Sequence, residues 1–405
     1  MRILILSQYF TPEITAAAPR LRSFAAHLAA RGDEVKVICE VPNHPEGVVR
    51  PGFRRRLSVQ EELDGFNVQR VWVRTSPRKT ALTRILLYGS YASLAVAAGS
   101  ASKRPDVVLA SSPPLTTGAS GSLVARRHRT PWVMDVRDLW PDVPVALGEL
   151  SNPRLARLAE RLERRLYASA SGITAANDAM AAAVAAKTGD ATKVHVVHNG
   201  TNEEWLAAAA QEPDRAELGI PAEPFVWTYA GNIGLAQGLD TALDAAELLG
   251  EGYCLLLLGE GPSLDRLKAR ASEMTGGRVE FHPPVPPGQA ALLMRASDAL
   301  LVPLDPHPAM DTTVPIKLFD SCAVGRPVIL AARGESLRLA GDSGAALPVP
   351  PGDPQALADA VRALRDDGEL RARLGRSGHE FASGYVRTEQ AARMAAVLDS
   401  VAASA

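Results

Sequence analysis

The 405-residue sequence contains few cysteines, few aromatic residues and no long apolar run. Its three cysteines, Cys39, Cys254 and Cys322, lie far apart inside apolar segments, which argues against a disulfide framework and against a zinc site. The apolar run over residues 85–98 is shorter than the roughly 20 residues that a membrane-spanning helix needs, and the amino-terminal run is too short for a secretory signal peptide. These absences predict a cytoplasmic protein without a transmembrane helix.

The residues that are present predict a globular α/β protein. Apolar residues make up 46% of the chain and charged residues 22%, and the length indicates two or three folding units. Strand-like apolar runs alternate with helical lengths, a pattern typical of parallel sheets covered by helices on both faces. A second alternating series begins at Phe225, after the polar stretch 199–224. We therefore predict two Rossmann-like doubly wound domains that face each other across a cleft. The first extends over residues 1–205 and the second over residues 206–385. Residues 386–405 are predicted to form a last helix that could return to the first domain.

The net charge of −1 conceals a basic first half and an acidic second half. Residues 1–205 contain 27 Lys and Arg against 19 Asp and Glu, which leaves 17 against 26 for the rest. Some of the basic residues flank the apolar run at 85–98, namely Arg54, Arg55, Arg56, Arg78, Lys79, Arg84, Lys103 and Arg104. Such a pattern can hold one face against anionic lipid headgroups. The alternative to membrane contact is that these basic residues form a solvated face and that the apolar run forms a buried helix. No nucleic-acid partner is predicted.

A strand-to-helix crossing in the second half is the strongest candidate for a ligand site. A buried strand ends at Pro303, a polar loop follows, and a helix is predicted to begin at Pro315. The amino end of a helix attracts anions through its amide groups and its dipole. Lys317 and Asp320 share one face of this helix, so a cation for a phosphate lies beside a carboxylate for a ribose diol. Taken alone, the spacing of the two residues favours an ordinary surface pair of opposite charge.

Two glycine-containing loops precede this crossing, each at the end of a predicted strand. The first extends from Gly231 to Gly238 and contains Asn232 and Gln237; the second is Gly259-Glu260-Gly261. Glycine allows the backbone to approach a phosphate closely. Three successive crossings therefore predict an anion site on one rim of the second domain, because ligands of doubly wound sheets bind at the carboxyl ends of the strands.

These segments, in their order and spacing, resemble the retaining family-4 glycosyltransferases of the GT-B fold. The resemblance also includes Ala323-x-Gly325-x-Pro327 after the helix. In the first half, residues 8–13, 111–115 and 135–142 resemble the bacterial amino-sugar transferases of the L-fucosamine type, which extend lipid-linked precursors of surface polysaccharides. The resemblance implies catalytic roles for Lys317, Arg137 and Asp138, and acceptor binding by Glu13, Arg20 and Arg137. It implies donor binding by Gly231, Asn232, Gln237, Gly238, Gly259, Glu260, Gly261, Thr312, Thr313, Val314, Pro315 and Asp320.

Several positions depart from the family pattern. Asn232 and Gln237 stand where many members have Arg and Lys, so Lys317 and the amides near Thr313 and Val314 have to supply more of the positive charge. Thr312 and Asp320 replace the two glutamates of the family's pair. The position often held by His is Arg137, which cannot act as a base because an arginine does not lose its proton in proteins.

The function predicted from this resemblance is transfer of a sugar from a nucleotide diphosphate, with retention of configuration. The predicted donor is a UDP-N-acetylhexosamine or a deoxy amino sugar, and the predicted acceptor is a saccharide or a polyprenyl-diphosphate saccharide at the inner face of the plasma membrane. No metal and no cofactor are predicted, since no Asp-x-Asp triplet occurs. Alternatives are a transferase for soluble aglycones, a nucleotide-sugar epimerase and a non-catalytic nucleotide-sugar binder. A nicotinamide-dependent oxidoreductase is disfavoured because no G-x-G-x-x-G follows the first strand.

Overall fold

The computed structural model describes residues 1–404 apart from 14, 16, 45, 79, 147 and 149, so Lys79 of the predicted basic cluster lies outside the described residues. The chain divides into two compact units. Unit 1 is Met1–His198 together with the carboxyl-terminal segment that begins at Arg387, and unit 2 is Asn199–Val386.

Unit 1 contains an eight-stranded sheet with the order β3-β4-β2-β1-β5-β6-β7-β8. Its strands are β1 (Arg2–Leu6), β2 (Glu34–Glu40), β3 (Ser58–Leu63), β4 (Phe66–Val71), β5 (Val107–Ser112), β6 (Trp132–Val136), β7 (Gly172–Ala175) and β8 (Val194–Val196). Neighbouring strands are parallel, except that β3 pairs antiparallel with β4. The strand β3 was not predicted, because an exposed edge strand with the sequence SVQEEL has no continuous apolar run.

Helices cover both faces of this sheet. They are α1 (Ala17–Ala30), α2 (Ala81–Ser100), α3 (Leu115–His128), α4 (Asp142–Ala146), α5 (Pro153–Ser169) and α6 (Asp178–Thr188). One face packs against α2, α3 and α5 through Tyr91, Val124 and Leu166, and the other packs against α1 through Leu21 and Phe24. Because both faces are buried, the central strands are apolar at nearly every position.

Unit 2 contains a six-stranded parallel sheet with the order β11-β10-β9-β12-β13-β14. Its strands are β9 (Phe225–Ala230), β10 (Tyr253–Leu258), β11 (Val279–His282), β12 (Ala299–Pro303), β13 (Val328–Ala331) and β14 (Leu347–Val349). Its helices are α7 (Glu203–Ala208), α8 (Asp240–Leu249), α9 (Leu264–Glu273), α10 (Pro287–Ala296), α11 (Ile316–Ala323), α12 (Gly334–Ser336), α13 (Pro354–Asp366) and α14 (Gly368–Ser383). Since the strands are parallel, the loops that follow them lie along one carboxyl edge.

The last helix, α15 (Arg387–Ala403), belongs to unit 1. Its buried Met394 and Leu398 join the cluster that contains Phe24 of α1, and Arg31 pairs with Asp399 at 2.6 Å. The predicted α/β class with two doubly wound parallel-sheet units is confirmed. Among the described residues, none of the helices combines the length and the apolarity that crossing a bilayer requires.

Candidate active site

The two glycine loops of unit 2 pack directly against each other at the carboxyl edge of the sheet. The Gly231 amide donates to the Leu258 carbonyl at 2.9 Å, and the Ile233 amide donates to the Glu260 carbonyl at 2.8 Å. Gly259 has a φ of +143°, and a Cβ there would lie 2.0 Å from the Gly231 carbonyl oxygen. Glycine is therefore required for this contact. The Glu260 side chain is exposed, so the backbone of this residue shapes the loop.

The two polar side chains of the first loop have different surroundings. Gln237 accepts a hydrogen bond from the Gly234 amide at 3.1 Å, which closes the turn that ends at Gly238. Asn232 has an exposed side chain, and its backbone carbonyl accepts a hydrogen bond from the Tyr229 hydroxyl at 2.5 Å. The loop is thus shaped from within by Gln237, and the amide nitrogen of Asn232 lies over Gly234, 2.7 Å from where a Cβ would stand there.

Several polar groups of the turn before α11 form hydrogen bonds within the protein. Pro315 is the extended residue that caps α11, one position before the first helical residue. Thr312 ends a 3₁₀ turn, and the Thr313 amide donates to the Met310 carbonyl at 2.9 Å. The Val314 carbonyl accepts from Asn199 at 3.3 Å. In this arrangement the amides of Gly231 and Thr313 both donate to protein carbonyls, so a bound anion has to meet other donors, and one side chain supplies a positive charge.

That side chain is Lys317, in the first turn of α11. A Cβ placed on Gly231 would lie 3.2 Å from the Lys317 Nζ, so glycine makes room for the ammonium beside the loop. The ammonium donates to the Tyr229 hydroxyl and lies 4.2 Å from the centroid of the Tyr229 ring, close enough for a cation–π interaction. Burial lowers the pKa of Lys317 to about 7, and no carboxylate among the described residues offsets this effect.

Tyr229 was not predicted as a site residue. It lies near the end of β9, two positions before Gly231, and it is fully buried. Burial also raises the pKa of Tyr229, so its hydroxyl keeps the proton that it donates to Asn232. The signal available in the sequence was a tyrosine near the end of a mostly apolar strand that leads into a glycine loop.

Asp320 lies on the same helix as Lys317, as the spacing predicts, and one of its oxygens is bonded within unit 2. The Thr201 hydroxyl donates to Asp320 Oδ1 at 2.8 Å. Thr201 is fully buried, and its amide donates to the Tyr385 carbonyl at 3.0 Å. Thr201 was not predicted either, because the turn that contains it is distant in sequence from α11.

The loop after β13 contributes a further, unpredicted part of this edge. Gly334 has a φ of +58°, and a Cβ there would lie 2.1 Å from the Asp311 carbonyl oxygen. The Ser336 hydroxyl donates to the Thr313 carbonyl at 2.6 Å. Four loops, those after β9, β10, β12 and β13, thus meet around the amino end of α11.

In unit 1 a buried hydrogen-bond network connects two of the predicted acceptor residues. Arg20 pairs with Asp135 at 3.0 Å, Asp135 accepts from the Ser111 hydroxyl at 2.9 Å, and that hydroxyl accepts from Arg137 Nε at 2.9 Å. Burial by itself raises the pKa of Asp135, but the Arg20 guanidinium outweighs it and holds the pKa below its usual range. For Asp138, burial dominates and raises the pKa. Arg20 is almost completely buried, whereas Arg137 is half-buried at the end of β6.

Glu13 belongs to a second cluster in unit 1. Its carboxylate accepts from the amides of Asn43 at 2.8 Å and His44 at 2.9 Å, which holds the loop after β2. The neighbouring Glu40 accepts from Gln8 at 2.8 Å and from Asn43 at 2.6 Å. Burial raises the pKa of both carboxyl groups. The contacts of Glu13 are therefore separate from those that join Arg20 to Arg137.

The arrangement in unit 2 can bind an anionic group through a desolvated ammonium at the start of a helix. An ammonium in a partly dry site stabilises negative charge that develops on a departing phosphate far better than it would in water. Among the residues that the structure describes, no three His, Cys, Asp or Glu side chains form a group suited to holding a metal ion.

Two protein families match the chain, one over each half. Residues 15–200 match the family described as a glycosyl transferase 4-like domain, and residues 210–381 match the family described as glycosyl transferases group 1. The match boundary between residues 200 and 210 lies close to the boundary between units 1 and 2.

Individual relatives agree with these families. The chain is 26% identical to the putative colanic acid biosynthesis glycosyl transferase WcaI of Escherichia coli (strain K12), with 82% of this chain and 83% of the relative covered. It is 29% identical to D-inositol 3-phosphate glycosyltransferase 1 of Catenulispora acidiphila, with 69% of each covered. The crystal structure of Anabaena Alr3699/HepE in complex with UDP-glucose has the same fold, with a TM-score of 0.73, 18% identity and coverage of 99% of this chain and 100% of that chain.

Proposed function

Because the chain belongs to the glycosyl transferases of the GT-B fold, with a 4-like domain followed by a group 1 domain, we propose that it transfers a sugar from a UDP-linked donor to an acceptor hydroxyl with retention of configuration. The observation that carries this proposal is the position of Lys317. Its ammonium lies beside Gly231 at the carboxyl edge of the second sheet, where nucleotide ligands of doubly wound domains bind.

In the proposed reaction the bond between the sugar C1 and the diphosphate oxygen breaks while the acceptor oxygen bonds to C1 on the same face. The acceptor proton passes to the departing diphosphate oxygen, so no enzyme nucleophile is needed. Negative charge develops on the diphosphate, and Lys317 lies where it can stabilise that charge. Since the amides of Gly231 and Thr313 donate to protein carbonyls, we assign most of this stabilisation to the ammonium.

The proposed donor is a UDP-N-acetylhexosamine or a related deoxy amino sugar. UDP is supported by the Anabaena protein, whose structure is described as a complex with UDP-glucose. The amino sugar is supported by the resemblance of residues 8–13, 111–115 and 135–142 to L-fucosamine-type transferases. Within this proposal Asp320, held by Thr201, binds the ribose, and Asn232 donates a hydrogen bond to the diphosphate.

The proposed acceptor is a lipid-linked saccharide of surface polysaccharide assembly, bound at the inner face of the plasma membrane. Arg137 orients the acceptor, Asp138 binds it, and the buried Arg20 acts through Asp135. The name of WcaI, which refers to colanic acid biosynthesis, supports a polysaccharide precursor. A small polar acceptor is the second candidate, favoured by the similarity to a D-inositol 3-phosphate glycosyltransferase.

A two-stage experiment tests the proposal. UDP, GDP, ADP and TDP sugars are first compared by thermal shift, since a ligand that binds the folded state raises the melting temperature. Donor consumption is then measured with and without a lipid-linked saccharide acceptor. We expect UDP sugars to stabilise the protein and to be consumed only when acceptor is present. Consumption without acceptor would indicate an epimerase, and stabilisation without consumption would indicate a non-catalytic binder.

The role of Lys317 is tested by substitution. Lys317→Ala is expected to lower turnover roughly 100-fold to 1000-fold, as for loss of one preorganised donor to a developing charge. Lys268→Ala is the matched control, because Lys268 is an exposed residue of α9. Equal effects of the two substitutions would remove Lys317 from the proposed site.

We also propose that the reaction needs no divalent metal, because the ammonium supplies the charge that a metal supplies elsewhere. Activity is expected to be the same with and without EDTA. Loss of activity in EDTA, with recovery on addition of manganese, would contradict this part of the proposal.

A further inference from the structure

Exposed apolar side chains are concentrated in unit 1. In the part of the chain that the structure describes, eleven of the thirteen large apolar side chains that are exposed belong to this unit. Five of them lie in the first two turns of two helices: Leu82, Ile85 and Leu86 in α2, and Leu155 and Leu158 in α5. Leu82 is 66% exposed and Leu158 is 61% exposed. Isolated exposed leucines are ordinary, but groups of them mark an interaction surface.

The topology places these two groups of side chains at the same edge of the sheet. The helices α2 and α5 lie on one face of the sheet with α3 between them. A helix that connects two parallel strands begins at the carboxyl edge of the sheet, so the first turns of α2 and α5 lie at that edge. Arg137, directly after β6, lies at the same edge.

The charge around these leucines is strongly basic. Five exposed arginines follow the outer side of α5, namely Arg154, Arg157, Arg161, Arg164 and Arg165. Of the two acidic residues of this helix, Glu163 is buried and pairs with Lys187 at 2.8 Å, and Glu160 is half-buried, so the five exposed arginines leave a clear positive excess. Arg78 is exposed just before α2, and its carbonyl accepts from Thr83 in the first turn. By contrast, Lys103 and Arg104 follow the carboxyl end of α2, roughly 30 Å away along the helix, and are not part of this surface.

We propose that this docking surface, defined by the five apolar side chains and the five arginines of α5, binds an anionic lipid bilayer. The leucines and Ile85 enter the boundary between headgroups and acyl chains, and the arginines contact lipid phosphates. The inference rests on the proposed function, because a lipid-linked acceptor would meet the carboxyl edge with Arg137 where this surface touches the membrane. Charge complementarity selects an anionic bilayer over a neutral one.

The experiment measures cosedimentation of the full-length protein with vesicles. Vesicles of phosphatidylcholine alone are compared with vesicles that also contain phosphatidylglycerol. We expect binding only to the anionic vesicles, and weaker binding at high salt. The double variants Leu82→Gln/Leu158→Gln and Arg157→Glu/Arg161→Glu are each expected to reduce the bound fraction roughly ten-fold. Matched control variants in unit 2 are Leu248→Gln and Arg373→Glu/Arg376→Glu, which are also exposed and are expected to bind vesicles like the unmodified protein.

Three outcomes would overturn the inference: no binding to anionic vesicles, equal losses in test and control variants, or binding that depends on the arginines but not on the leucines. The last result, together with retention on heparin, would indicate an anionic polymer as the partner. UDP-dependent thermal stabilisation of the same preparations separates this inference from the proposed function. Vesicle binding without stabilisation by UDP would support the docking surface and contradict the proposed transferase function. Stabilisation by UDP without vesicle binding would support the transferase function and contradict the docking surface.

Discussion

The ammonium of Lys317 lies 4.2 Å from the centre of the Tyr229 ring and donates a hydrogen bond to its hydroxyl. The same hydroxyl donates to the Asn232 carbonyl at 2.5 Å. Tyr229 thus connects a cation on α11 to the loop after β9, although the two segments are distant in sequence. One phenol therefore contacts both the cation and the loop.

Replacing Tyr229 by Phe is expected to lower kcat/KM about ten-fold, because the ammonium loses an acceptor and the Asn232 carbonyl loses a donor. Steady-state kinetics with a UDP sugar measures the effect. The matched control is Tyr91→Phe, since Tyr91 is also fully buried and its hydroxyl donates to the Ile38 carbonyl at 3.0 Å. Both variants should lose stability, but only Tyr229→Phe should lose activity; equal activity in Tyr229→Phe and the unmodified protein would contradict a positioning role.

Donor affinity is expected to depend on pH through Lys317. Burial lowers the pKa of Lys317 to about 7 in the free protein, and a bound diphosphate favours the charged form and raises it again. Binding therefore takes up a proton above pH 7, and affinity falls as pH rises, by at most about ten-fold per pH unit. Calorimetric titration with UDP-N-acetylglucosamine between pH 6 and 9 tests this, because its diphosphate does not titrate in that range.

Lys317→Met is the control for that titration. Methionine keeps much of the side-chain length and removes the titrating group, so the pH dependence should disappear together with part of the affinity. A slope that persists in this variant would assign the titration to another residue.

Gly259→Ala is expected to abolish donor binding. A Cβ at this position would overlap the Gly231 carbonyl oxygen at 2.0 Å, and the φ of +143° is strained for alanine, so the two loops have to separate. The thermal shift caused by UDP measures the loss. Gly288→Ala is the control, because a Cβ there meets no atom within 4 Å; a UDP shift retained in Gly259→Ala would show that the contact between the loops is dispensable.

Asp135→Asn is expected to destabilise the protein by about 3–5 kcal/mol, because it leaves the buried Arg20 guanidinium without its counter-charge. Urea unfolding monitored by circular dichroism checks this. Because the folded-state pKa of Asp135 is lowered, its stabilising effect should be present at neutral pH and be lost as pH falls through that folded-state value. The control is Asp399→Asn, whose partly exposed pair with Arg31 is expected to contribute no more than about 1 kcal/mol.

The fold could be predicted from the sequence to the level of individual strands, because a strand buried on both faces must be apolar along its whole length. The two strands that the sequence did not predict, β3 and β14, are not long strands buried on both faces. The edge strand β3 contains only two apolar residues, Val59 and Leu63, and β14 contains only three residues. In both cases the signal that reveals a central strand is weak.

For the candidate site, the sequence by itself determined which residues precede and follow each strand: the glycine loops at Gly231 and Gly259, and Lys317 at the start of a helix. This is local information, since glycine content and helix starts are encoded within a few residues. Only the tertiary structure decided which of these groups meet. The contacts of Lys317 with Tyr229, Asp320 with Thr201 and Arg20 with Asp135 join segments 88, 119 and 115 residues apart, and such pairings arise from the order of strands in each sheet rather than from local spacing.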